Sequence, residues 1–262
     1  SPLKVLSDQA HRIGPTATNQ RLAADRLPTE IAPLIEDVNM AFDRLEQGYK
    51  AQRDFASNVA HEIRTPIAVL RSSIDRIDDQ ALKQNLSQDA KQLDRIFGQL
   101  IDLSRADAAL QSVFETVKLQ NVSIEVATNL ASVALRSGRR LSITGEKSVL
   151  VHGNSGLLGI ALANVVRNAL QYSSENSEVE IELLSKPAGW RVLDRGAGVP
   201  DALKTALFER FNRGAQANSG SEGSGIGLAI VKSVANSHNA TVSIQDRDGG
   251  GSIFSFTFDR KI

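Results

Sequence analysis

Five aliphatic residues, Ile63, Ile67, Leu70, Ile74 and Ile77, recur at intervals of 4, 3, 4 and 3, and this run constrains the chain more than any other feature. Such spacing keeps one apolar stripe along an α-helix and defines a heptad, with Ile67 and Ile74 at a and the others at d. A second stripe follows in Leu86, Ala90, Leu93, Phe97 and Leu100. Polar residues 78–80 and 83–85 predict the turn between them, so residues 49–112 read as a helical hairpin. One hairpin with a seam on each arm buries both poorly. Two hairpins pairing as a dimeric four-helix bundle solve this, and that is the predicted arrangement.

The flanking regions follow other patterns. Residues 1–48 read as two short helices, one carried by Leu3, Leu6, Ala10 and Ile13, the next by Ile31, Leu34, Ile35, Val38, Phe42 and Leu45. Gly14-Pro15 ends the first, and Leu27-Pro28-Thr29-Glu30 starts the second. From about residue 115 helices alternate with short β-rich runs. Helices are predicted near 123–137, 155–172 and 226–237, and strands at 141–144, 149–152, 179–184, 190–194, 241–245 and 252–258. Mixed elements of this length predict an α/β sandwich. A chain of 262 residues accommodates these as three domains, at 1–48, 49–114 and 115–262.

Composition excludes several functions. Lys plus Arg equals Asp plus Glu at 30 each, so no net field favours nucleic acid. Cysteine is absent, which removes disulfides and thiolate metal sites, and the four histidines show no metal-ligand spacing. No apolar run approaches the roughly 18 residues of a membrane helix. As it stands the chain reads as soluble. Ser1-Pro2-Leu3 opens inside a helical pattern with no cap or start methionine, so the chain also reads as a fragment.

Chemistry concentrates in four strings. The first is Phe55-Ala56-Ser57-Asn58-Val59-Ala60-His61-Glu62-Ile63-Arg64-Thr65-Pro66. His61 falls at heptad position b, off the seam, with Thr65 four residues on along the same helix face. An exposed imidazole beside a carboxylate keeps a neutral, nucleophilic nitrogen, with Glu62 orienting it or taking its proton. Pro66 removes a backbone hydrogen bond and is expected to bend the helix there. The second string, Asn164-Val165-Val166-Arg167-Asn168-Ala169-Leu170-Gln171-Tyr172, places two amides at i and i+4, able to serve a hard cation and its phosphates.

The third string, Asp194-Arg195-Gly196-Ala197-Gly198-Val199-Pro200, puts a carboxylate at the start of a tight glycine loop. Such an acid can accept a hydrogen bond from an adenine amino group, although Asp-x-Gly-x-Gly alone is more often a turn. The fourth runs from Leu207-Phe208-Glu209-Arg210-Phe211-Asn212-Arg213-Gly214, through the polar loop 215–222, to Gly223-Ser224-Gly225-Ile226-Gly227-Leu228. Its glycines feed a helix whose N-terminal amides can hold phosphate, and the loop has the composition of a lid. It does not follow a strand in a βαβ unit, so a dinucleotide-binding reading fails.

Taken in order, these strings resemble the H, N, G1, F and G2 boxes of sensor histidine kinases. The resemblance implies a GHKL ATP-binding fold, shared with DNA gyrase and MutL, behind a dimerisation and histidine-phosphotransfer hairpin. Residues 1–48 resemble a HAMP linker through Pro2-Leu3, Leu27-Pro28 and Glu30-Ile31. By the same resemblance His61 accepts the phosphoryl group, Glu62 and Thr65 assist, Asn168 holds Mg²⁺, and Asn164 has a phosphate-side role. Asp194 reads adenine, with Tyr172, Gly196 and Gly198 around it. Arg213 meets the terminal phosphates, and Gly223, Gly225, Gly227 and Leu228 form the hinge of the lid. The implied ligands are ATP and Mg²⁺.

The implied partners are a second copy of the chain and a response regulator receiver domain, with no nucleic acid. Membrane segments outside this sequence would anchor the protein in the bacterial inner membrane, leaving this portion cytoplasmic. A hinge near residues 112–118 would bring nucleotide to His61, and Thr65 would position a water for the reverse, phosphatase reaction.

Three positions depart from the family pattern. Gln171 stands where Lys or Arg is usual, Asn154 where Asp is common, and Gly249-Gly250-Gly251 reads as an ordinary hairpin turn. Two rival readings stay open on the residues: a signalling scaffold that binds nucleotide without turnover, and a GHKL ATPase.

Overall fold

The computed structural model describes residues 32–107, 114–210, 212 and 225–258. The described residues fall into two compact units, one of residues 32–90 with 107, the other of 91–106 with the described residues from 114 onward. The first linker helix and the connector predicted before residue 31 lie outside the described residues, as do residues 213–224, where the polar loop was expected at 215–222.

Helix α1 spans Ala32–Ile74 and α2 spans Gln80–Asp107. The single helix α1 crosses the expected boundary at residues 48 and 49 without interruption and runs on through Pro66. The turn is Asp75–Asp79, shorter and earlier than expected. Asp79 explains it: Oδ1 accepts from the N–H groups of Ala81 and Leu82 at 2.9 and 3.1 Å, which starts a helix there. Polar residues 83–85 are therefore helical surface rather than turn. Lys83 Nζ donates to the Asp75 carbonyl at 2.7 Å and closes the turn from the other side.

Burial along the seam divides by heptad position. Ile67 and Ile74, both at a, are 7% and 3% exposed, whereas Leu70 at d is 43% exposed. Leu93 and Leu100 on α2 are likewise exposed. The apolar stripe of one chain is thus only partly covered by that chain. Among the described residues no helix is long and apolar enough to cross a membrane.

From residue 115 the order is β1 (Glu115–Lys118), α3 (Leu119–Arg136), β2 (Arg140–Gly145), β3 (Leu150–Gly153), α4 (Ser155–Tyr172), β4 (Glu178–Ser185) and β5 (Ala188–Leu193). Short α5 (Asp201–Lys204) and a 3₁₀ turn at Ala206–Phe208 follow, then α6 (Gly227–Ser237), β6 (Ala240–Asp246) and β7 (Ser252–Phe258). Five strands form one sheet in the order β2-β4-β5-β7-β6, with only β2 and β4 parallel. Strands β1 and β3 make a separate antiparallel pair with Val117 opposite Val151.

Alternation along the strands makes the sheet one-sided. Ile181, Leu183, Trp190, Val192, Phe254 and Phe256 are buried beneath the helices α3, α4 and α6. Glu182 and Arg191 pair across the opposite face at 3.8 Å, half exposed, where such a contact contributes little. Trp190 and Phe256 are direct cross-strand partners, stacked with centroids 5.0 Å apart. Both are almost fully buried, worth about 2–3 kcal/mol each in apolar burial. The predicted α/β sandwich is the observed fold.

Candidate functional site

Asp194 follows the last residue of β5 and is 4% exposed. Its backbone N–H donates to the Ser252 carbonyl at 2.9 Å, one step beyond the β5–β7 ladder. The side chain turns back on this frame, and Oδ1 accepts from Gly196 N at 2.7 Å and Ser252 N at 3.2 Å. Burial pushes the carboxyl above the ordinary carboxylate value, while these two amides and the guanidiniums of Arg247 and Arg195 pull it back. The result is a rigid, partly desolvated acid with its two backbone donors on one oxygen.

The glycines around it are required by space. A Cβ on Gly196 would lie 2.6 Å from the Tyr172 carbonyl oxygen and 3.1 Å from Asp194 Oδ1. Gly198 adopts φ +80, which favours glycine. The end of α4 is sewn to this loop: Ser173 bridges Gly196, and Ser174 N donates to the Arg195 carbonyl at 3.1 Å. Tyr172, the last residue of α4, is 42% exposed beside the loop.

Helix α4 begins at Asn154, whose side chain accepts from Leu157 N at 3.0 Å. An aspartate would make the same cap, so this departure from the family pattern leaves the helix start intact. Asn164 is 2% exposed and donates through Nδ2 to the Ile160 carbonyl at 2.9 Å. Its oxygen faces Gly227, where an added Cβ would stand 3.1 Å away. Asn168, one turn on, is only partly buried. Its single amide suits a cation held jointly with phosphate oxygens and water rather than an all-protein cage. Among the described residues no cluster of three or more His, Asp or Glu side chains is placed to hold a metal.

Gly225 has φ +69 and precedes α6, which Ile226 starts without a side-chain cap. Leu228 is 8% exposed and belongs to the helix layer. Arg213 and Gly223 lie outside the described residues. Of the first string, His61 and Glu62 lie on one turn of the α1 backbone and Thr65 on the next; Thr65 is exposed, and the His61 and Glu62 side chains lie outside the described set.

Two families match along the chain. Residues 51–109 match the His Kinase A (phospho-acceptor) domain. Residues 153–262 match the histidine kinase-, DNA gyrase B- and HSP90-like ATPases. The two lie in the order of the hairpin and the sandwich. The chain belongs to the sensor histidine kinases.

Relatives of this histidine kinase include the sensor protein kinase PmrB of Pseudomonas aeruginosa, 35% identical over 86% of this chain and 49% of that protein. The sensor protein QseC of Salmonella typhi is 32% identical over 95% of this chain and 57% of its own length. The kinase chain spans about half the length of the curated relatives it matches. Among solved structures, Acinetobacter baumannii histidine kinase AdeS aligns with TM-score 0.54 at 22% identity, over 76% of this chain and 98% of AdeS. Full-length ShkA in complex with AMPPNP aligns with TM-score 0.60 at 19% identity, over 78% of this chain and 45% of that one. These two likenesses speak for the fold.

Two contacts of Asp194 were not expected from the sequence, one with Ser252 and one with the glycine turn. Ser252 supplies both a donor and an acceptor to Asp194. Gly251, with φ +104, lies so close that a Cβ would stand 2.2 Å from the Asp194 carbonyl oxygen. The glycine turn is therefore a wall of the Asp194 site as well as a hairpin turn. The available signal was a run of three glycines ending directly before β7.

Proposed function

We propose that this chain binds Mg-ATP, transfers the γ-phosphoryl group to His61, and passes it to an aspartate on a response regulator receiver domain. The observation that carries the nucleotide half is Asp194, a buried carboxylate with both backbone donors on Oδ1. That geometry leaves Oδ2 to accept from the adenine amino group, with Gly196 and Gly198 letting the ring approach. Phosphates extend toward the start of α6, whose first-turn amides and dipole favour anions. Asn168 would hold a magnesium ion, and Asn164, whose oxygen faces Gly227 at the start of α6, would stand on the phosphate side. Such an ion would supply positive charge to offset that of the phosphates. Arg213 and the loop through Gly223 cover the phosphates.

In the transfer, an imidazole nitrogen of His61 forms a P–N bond as the bond from γ-phosphorus to the β–γ bridging oxygen breaks, and ADP leaves. Glu62 orients the ring or takes its proton, and positioning within reach of the γ-phosphorus supplies much of the rate. In the second transfer the P–N bond breaks and a receiver aspartate gains the phosphoryl group. In this reading Thr65 orients a water for the phosphatase reaction. The exposed Leu70, Leu93 and Leu100 support a homodimer in which a second hairpin covers them. Kinship with sensor proteins about twice this length supports a cytoplasmic portion of a bacterial inner-membrane sensor, joined through a HAMP-like linker over residues 1–48.

Incubation with γ-labelled ATP tests the reading. Acid-labile, alkali-stable label on the protein is the expected result. Released phosphate without protein label would make the chain an ATPase, and nucleotide binding with neither would make it a scaffold.

A further inference from the structure

The β6–β7 turn reaches across the sheet to Asp194 through an arginine. Arg247 is mostly buried, its side chain 16% exposed, and Nη1 donates to the Asp194 backbone carbonyl at 3.2 Å. Nη2 pairs with Glu180 Oε2 on β4 at 3.3 Å. The other carboxylate oxygen of Glu180 accepts from Thr144 Oγ1 at 2.7 Å. The turn itself is braced twice: Arg247 N donates to the Gly251 carbonyl at 3.1 Å, and Arg195 Nη1 donates to the Asp248 carbonyl at 2.6 Å. Together with Ser252 and Gly196, these contacts occupy the N–H, the carbonyl and one carboxylate oxygen of Asp194.

We infer that Arg247, anchored by Glu180, is a positioning residue for base recognition. It clamps the Asp194 backbone from outside the pocket and so fixes where the free carboxylate oxygen meets the nucleobase. The inference rests on Asp194 reading adenine. A fork-shaped guanidinium suits the task, because one head spans a carbonyl and a carboxylate on adjoining strands, which an ammonium does less well. The contact acts on the base and leaves the phosphate end of the cleft untouched.

The test is displacement of a fluorescent ATP analogue from the full chain by ADP and, separately, by inorganic triphosphate, which carries no base. Arg247→Ala should weaken ADP about fivefold, the order expected for the net worth of one ordinary hydrogen bond, and leave triphosphate unchanged. Glu180→Ala should shift ADP in the same direction by less, and adding it to Arg247→Ala should produce no further loss, as expected of one linked unit. Arg247→Lys should recover part of the affinity. Equal weakening of ADP and triphosphate would make Arg247 a structural residue, and unchanged ADP affinity would also overturn the proposal. If Arg247→Ala does not fold, Arg247→Lys and Glu180→Ala decide by the same two competitors. Asp194→Asn, measured in parallel, separates the two claims. Loss of ADP in that variant alone sinks the Arg247 role and keeps the adenine assignment, whereas ADP affinity unmoved by Asp194→Asn sinks both.

Discussion

His238 Nε2 accepts a hydrogen bond from the backbone N–H of Asn154 at 3.0 Å, tying the end of α6 to the start of α4. Nδ1 donates to the Val234 carbonyl at 2.8 Å, so the ring is held neutral with its proton on Nδ1. It stacks on Phe114 at 4.6 Å and is 5% exposed.

Burial lowers the His238 pKa below 6.5; the Val234 hydrogen bond opposes this, and His152 adds to it. Below about 6.5 the unfolded chain takes up a proton that the folded chain refuses. The stability is therefore full above that value and is lost as pH falls from it through the folded pKa. Asp194, raised in the fold, acts in the opposite sense at acid pH. Melting temperature should fall between pH 7.5 and 5.5, and His238→Gln should flatten the slope. A slope unchanged by that variant would assign the loss to other groups.

Asn154 caps α4 through one side-chain oxygen. Asn154→Ala should cost about 1 kcal/mol of stability, while Asn154→Asp should retain it or add a few tenths through the helix dipole. Denaturant titration of the three proteins decides. An alanine variant as stable as the parent would mean that water replaces the cap without loss.

Gln171 is exposed one residue before the end of α4. A lysine there would bring a charge toward a triphosphate that magnesium only partly neutralises. In an open cleft that is worth roughly 1 kcal/mol, or about fivefold in affinity. Gln171→Lys should therefore tighten ATP binding, and the gain should shrink as salt rises. Calorimetric titration at two ionic strengths measures both. No gain at low salt would mean that the side chain points away from the phosphates.

How legible all this was depended on the range of the interactions. The 4-3-4-3 spacing of Ile63 to Ile77 is local, and it marked the hairpin. The strand periodicities around Trp190 and Phe254 marked the sandwich in the same way. Strand β1 escaped because four residues with one buried side chain, Val117, carry no readable alternation. The hairpin turn was misplaced because Asp79 was read as turn surface rather than as a cap, although its residue type favours both. Asp194 was legible from its glycines. Arg247 and Ser252 were not, since each meets Asp194 across more than fifty residues of sequence. The same holds for His238, which appeared only as a histidine without metal-ligand spacing.

The phospho-acceptor assignment is tested most directly by His61→Gln. Position b of the heptad contributes no seam contact, so the variant should keep its dimeric mass and its affinity for a fluorescent ATP analogue. Incubated with γ-labelled ATP, the parent should gain acid-labile, alkali-stable label and the variant none. Acid-labile label retained on His61→Gln would contradict the assignment and move the acceptor to another residue.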